Sequence, residues 1–66
     1  MNLIVNGESV ETKAKTVSEL LAERGVTNRV AVEVDGHVVP YDEFSGYTLR
    51  EGSHVEIIAF VGGGCG

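Results

Sequence analysis

The residues best placed to do chemistry lie at one end. Gly62-Gly63-Gly64-Cys65-Gly66 holds four of the nine glycines. Backbone without Cβ atoms loses the most entropy on ordering, so this stretch is expected to be a flexible tail. Such a tail can be drawn flat through a slot too narrow for ordinary side chains, offering a glycyl carbonyl carbon to a partner's catalytic centre. A frayed terminus is the plain alternative. Against it, the apolar run that feeds straight into the glycines gives the reactive end a defined origin. Cys65 is the only cysteine, so no internal disulfide forms. No Lys or Arg lies within the tail to favour a thiolate, and the thiol is read as inert or removed before function rather than as a nucleophile. His37, His54 and Cys65 match no closed zinc spacing. The carboxylates of Asp42-Glu43 and of Glu8 with Glu11 are not acid–base dyads, because no pocket perturbs them. The sequence holds neither a Ser-His-Asp set nor a nucleotide-binding loop.

Size narrows the choice further. A chain of 66 residues makes one domain, and at this length only about 60% of the unfolded surface is buried. A ligand cavity of roughly 300 Å³ or more would compete with the core, which argues against a self-contained enzyme. Hydrophobic residues at 42% and charged residues at 23% are ordinary for a folded domain. Ten acidic residues against five basic ones leave a net charge of −5, which repels phosphate backbones and excludes nucleic acid as the expected partner. No apolar run approaches about 18 residues and no basic-then-apolar leader is present, so neither membrane nor export is expected. A reducing cytoplasm is the expected compartment. With no disulfide or metal to staple it, the fold must rest on apolar packing.

The elements that must position the tail follow from local chemistry. Leu3-Ile4-Val5, Asn6-Gly7 and Ser9-Val10-Glu11-Thr12 read as a hairpin closed by a primed turn. Thr16-Val17-Ser18-Glu19 fits a capping box, and Val17, Leu20 and Leu21 form one apolar stripe of a short helix over 17–24. Arg24 near its end suits the dipole, and Gly25 is placed to close it. Val30 to Val34 is the clearest strand, with its valines on one face. Asp35-Gly36 turns it into His37-Val38-Val39, which Pro40 stops. Tyr41 to Phe44 predicts a helical turn with Phe44 as a plug, and Tyr47 and Leu49 add apolar weight. After a turn at Glu51-Gly52, residues 54–61 predict a last strand apolar enough to be central.

The order β-β-α-β-β-turn-β predicts an α+β domain of β-grasp (ubiquitin-like) type over residues 1–61, with 62–66 as its tail. A single helix covers one face of a mixed sheet, the first hairpin lies beside the last strand, and the other face is left open for docking. Ile58 and Phe60 share one side of the last strand, Val55 and Ile57 the other; alternation alone does not say which side meets the helix. Glu56 reaches solvent, where it could meet a partner's basic residue, while Arg29 and Arg50 read as solvated surface charges.

Taken together, Met1-Asn2-Leu3-Ile4-Val5-Asn6-Gly7, Thr16-Val17-Ser18-Glu19-Leu20-Leu21, Val30-Ala31-Val32-Glu33-Val34-Asp35-Gly36 and above all Phe60-Val61-Gly62-Gly63-Gly64 resemble the small sulfur carriers of the ubiquitin-like superfamily, the thiamine-biosynthesis (ThiS) type foremost and the MoaD-like type next. The resemblance covers residues 1–64. It implies a carrier without catalysis of its own and with no bound cofactor. An E1-like adenylating enzyme of ThiF type would use Mg-ATP on its terminal carboxylate. A persulfide sulfur would then leave a thiocarboxylate for a thiazole synthase of ThiG type. The family's di-glycine falls on Gly63-Gly64, so Gly64 would carry the sulfur, and Phe60, Val61 and Ile58 would meet partners. Here the sequence departs from the family pattern, because Cys65-Gly66 follow. Their removal by a metalloprotease of JAMM type is the favoured expectation. The rivals are adenylation at Gly66 and a working Cys65 thiol. Other readings are a carrier for cysteine, homocysteine or molybdopterin sulfur, and a ubiquitin-like modifier or binding module.

Overall fold

The computed structural model describes residues 1–60. Its chain order is β1 (Asn2–Val5), β2 (Glu8–Glu11), α1 (Val17–Glu23), β3 (Val30–Val34), β4 (His37–Val39), a 3-10 turn (Tyr41–Glu43) and β5 (His54–Ala59). The five strands make one mixed sheet in the order β2-β1-β5-β3-β4. The expected α+β architecture is therefore present, with β5 central, parallel to β1 and antiparallel to β3. β5 ends at Ala59 rather than at Val61, and Val61 with the tail 62–66 lies outside the described residues.

Both hairpin turns carry positive φ at their two central residues: Asn6 at 50° with Gly7 at 85°, and Asp35 at 51° with Gly36 at 84°. That is the primed geometry whose twist matches the flanking strands. In the helix, Thr16 Oγ accepts from the Glu19 amide at 3.2 Å, as a capping box requires. The return arm differs from the expectation. Glu19 Oε1 accepts from the amide of Lys15 at 2.8 Å, one residue before the cap, where the bridge of Thr16 to Thr48 sets how the chain enters the helix. At the other end Arg24 is the cap residue rather than the last helical one. Gly25 (φ +70°) donates to Ala22 O at 3.1 Å and Val26 to Leu21 O at 2.9 Å. This pair of bonds is a Schellman closure, and its left-handed residue is the expected glycine.

A seven-residue helix is not stable alone. It persists because Val17 and Leu20 are fully buried against Leu3, Val5, Val32, Val34 and Val55 of the sheet. Burying each such side chain contributes about 1.5–3 kcal/mol. Phe44 plugs the open end as expected, and Ala14, Val39 and Leu49 complete the core. Val55 at 0% exposure and half-buried Ile57 settle which side of β5 meets the helix. Ile58, 49% exposed, is on the other.

Candidate functional site

β5 is the element that leads to the glycines, and it is held from both sides by the two turns. On one side the Asn6 amide donates to Val55 O at 2.8 Å. Its side chain then reaches the next rung: Oδ1 accepts from the Ile57 amide at 2.7 Å and Nδ2 donates to Ile57 O at 3.3 Å. On the other side Asp35 donates its amide to His54 O at 2.8 Å and accepts the His54 amide on Oδ1 at 2.9 Å. Each turn residue thus extends a ladder that the strand alone would end. Sequence reasoning assigned Asn6 and Asp35 to turns and missed this second role; nothing local signals bonds made 51 residues away for Asn6 and 19 for Asp35.

Exposure alternates from His54 to half-buried Ile57, after which Ile58, Ala59 and Phe60 are all exposed. Past the last ladder pair, Val30 with Ala59, one bond continues the sheet: the Phe60 amide donates to Arg29 O at 3.2 Å. Beyond that pair, strand alternation no longer describes the chain. Ile58 faces the open side of the sheet opposite Ala31, whereas Phe60 lines a groove on the helix side with Leu21, Val26, Val30, Tyr41 and Phe44. Of the three expected partner-binding residues, the two described, Ile58 and Phe60, are therefore not one patch. Val61, Gly62, Gly63, Gly64, Cys65 and Gly66, the rest of the expected site, lie outside the described residues.

The groove has a volume of about 620 Å³. It is open surface rather than a cavity enclosed by the core, so it is a different feature from the ligand cavity that the chain length argues against. The core packs intact and the groove lies outside it, over surface that the short helix leaves uncovered beside the loop at residues 26–29. Arg29 and the largely exposed Tyr41 at this groove carried no sequence signal for a site.

The open face is mixed, with exposed Val38 and Ile58 beside its acids. Its central rung sets Glu33 of β3 directly opposite Glu56 of β5, with Ile58 and Ala31 one rung on. Like charges across a ladder are destabilising. His37 and His54 are both exposed, and no group of three potential ligands that could hold a metal occurs among the described residues. One carboxyl departs from its ordinary behaviour. Glu23, at the end of α1, is held below the usual carboxylate range, first by the hydroxyl of buried Thr12 and then by the amide and ammonium of Lys13. That contact is structural and distant in kind from the tail. No described helix is long and apolar enough to cross a membrane.

Comparison with known proteins places this geometry. The ThiS family model matches residues 3–64. A protein of Paramagnetospirillum magneticum (strain ATCC 700264 / AMB-1) named thiazole synthase is 42% identical over 66 residues; the match covers 97% of this chain and 20% of that protein. The chain thus spans about one fifth of the length of that relative. Among solved structures, the crystal structure of a thiamine biosynthesis protein (ThiS) from Geobacter metallireducens is similar with a TM-score of 0.82 and 36% identity, covering 97% of this chain and all of the other. The solution structure of a thiamine biosynthesis protein from the same organism gives 0.78 and 38%, covering 98% and 90%.

Proposed function

The chain belongs to the ThiS family of small sulfur carriers, which are not themselves enzymes, and from that premise we propose that Gly64 is where the sulfur is carried. The observation that supports this most is the extent of the family match, which runs to residue 64 and so ends on Gly63-Gly64. A free carboxylate at Gly64 requires that the residues after it, Cys65 and Gly66 among them, be removed. Hydrolysis of the Gly64–Cys65 peptide bond by a JAMM-type metalloprotease does this.

The chemistry then needs an outside catalyst, because a carboxylate is a poor electrophile. An E1-like enzyme of ThiF type transfers the adenylyl group of Mg-ATP to the Gly64 carboxylate and releases pyrophosphate. The terminal sulfur of a persulfide attacks the acyl carbon and expels AMP. A thiol then takes the second sulfur into a disulfide and leaves the glycyl thiocarboxylate. The acceptor is a thiazole synthase in thiamine biosynthesis. The relative named thiazole synthase, which contains a stretch like this chain, favours that acceptor over cysteine, homocysteine or molybdopterin synthesis. The carrier's own contribution is placement, since the central strand β5 leads toward the tail. ATP, magnesium and the persulfide all belong to the activating partner, and the compartment is the cytoplasm.

Intact-mass measurement tests the reading. A chain ending at Gly64, incubated with the adenylating enzyme, Mg-ATP and a persulfide donor, should become heavier by the difference between sulfur and oxygen. The chain retaining Cys65-Gly66 should not. No gain in the trimmed chain, or an equal gain in both, would contradict the assignment to Gly64.

A further inference from the structure

The function proposed above assigns no role to the groove beside Phe60, yet its composition is that of a recognition surface. Its floor is apolar, made by Leu21, Ala22, Val26, Val30 and Phe44. Two aromatic residues line it while standing largely in water: Tyr41, 84% exposed, and Phe60, 59% exposed. Tyr41 leans edge-on against Phe44 with ring centroids 5.4 Å apart, which steadies it without covering it. Aromatics exposed around an apolar floor mark interaction sites. Among the described residues Arg29 is the one charged side chain lining the groove, on a chain whose net charge is −5. On so acidic a chain this arginine offers a carboxylate-bearing segment an opposite charge beside an apolar surface, which favours that chemistry for the occupant.

We propose that this groove docks an extended segment of the thiazole synthase, one that lays an apolar side chain on the floor between Tyr41 and Phe60 and sets a carboxylate against the Arg29 guanidinium. The identity of the partner rests on the function proposed above; the chemistry of the segment rests on the groove. Phe60 links the two, because it lines the groove and directly precedes Val61 and the glycines. A synthase seated there is held beside the residues whose sulfur it receives, and its hold on the tail becomes an intramolecular event with a high effective concentration.

Titration calorimetry of the full chain against purified thiazole synthase, at two ionic strengths, tests this. Arg29→Glu and Tyr41→Ser change exposed residues, and thermal melts will report any loss of fold. Arg50→Glu, also exposed and outside the groove, is the charge-matched control. Each groove variant should weaken binding by about tenfold or more, while Arg50→Glu leaves it near wild type. Arg29→Glu should also flatten the dependence on salt. The proposal is overturned if wild type does not bind, if the groove variants bind as wild type does, or if Arg50→Glu weakens binding equally. It is also overturned if the losses appear with the adenylating enzyme and not with the synthase. The sulfur-gain measurement on the same variants, trimmed to Gly64, separates the two ideas. Chains that gain sulfur yet bind the synthase regardless of the groove defeat the groove alone. Chains that never gain it defeat the carrier reading.

Discussion

Thr12 and Glu23 show how one side-chain pair can fasten the end of a helix to the chain that leads into it. Glu23 sits in the last turn of the helix, where the carbonyl end of the dipole disfavours a carboxylate. Thr12, 3% exposed, donates its hydroxyl to Glu23 and accepts the amide of Ala14 at 2.9 Å, so the pair ties the helix end to the chain entering it. The folded state thereby lowers the affinity of Glu23 for a proton. A carboxyl depressed on folding contributes stability that is present above its unfolded pKa and lost as pH falls through the folded one. Replacing Thr12 by Val should return Glu23 toward its ordinary titration. The melting temperature should then drop more at neutral pH than in acid. Carbon NMR titration of the Glu23 carboxyl, with melts across the acid range, checks both. An unchanged Glu23 midpoint in Thr12→Val would contradict the stated cause.

At the level of elements, the decisive one is β5 with its two pinning turns. Asn6→Gly keeps a residue that accepts φ of +50° while deleting both side-chain bonds to Ile57. Stability should fall by about 1 kcal/mol, or about 4–8 °C in melting temperature for a domain of this size. A melt equal to wild type would mean that water replaces those bonds at no cost. The hairpins, the helix and its glycine closure were legible because turn and cap chemistry is local: Asn6-Gly7, Asp35-Gly36 and Thr16 with Glu19 each announce themselves within four residues. The bonds from Asn6 and Asp35 to β5 were not legible, since they exist only once distant strands have met. The partner of Glu19 was missed by one residue because the entry angle at Thr16 is set by tertiary contacts, among them the bridge from Thr16 to Thr48.

Across the whole molecule, charge is arranged against stability. Ten acidic residues oppose five basic ones, and two of the acids, Glu33 and Glu56, face each other across the ladder between β3 and β5. Glu56→Gln should raise stability by about 0.2–1 kcal/mol, with a smaller gain at high salt; a lower melting temperature would show that the pair is not repulsive. The glycine run on which the proposed sulfur site rests is contiguous and could be read directly. The groove could not, because its lining comes from four separate stretches, at Ser18 to Ala22, Val26 to Val30, Tyr41 with Phe44, and Phe60. The pinned central strand has a mechanical consequence. A pull on the terminus loads two neighbouring ladders in shear along their length, so they resist together and do not peel open one bond at a time. The folded body should therefore keep its shape under a load applied beyond β5 that would unzip an edge strand.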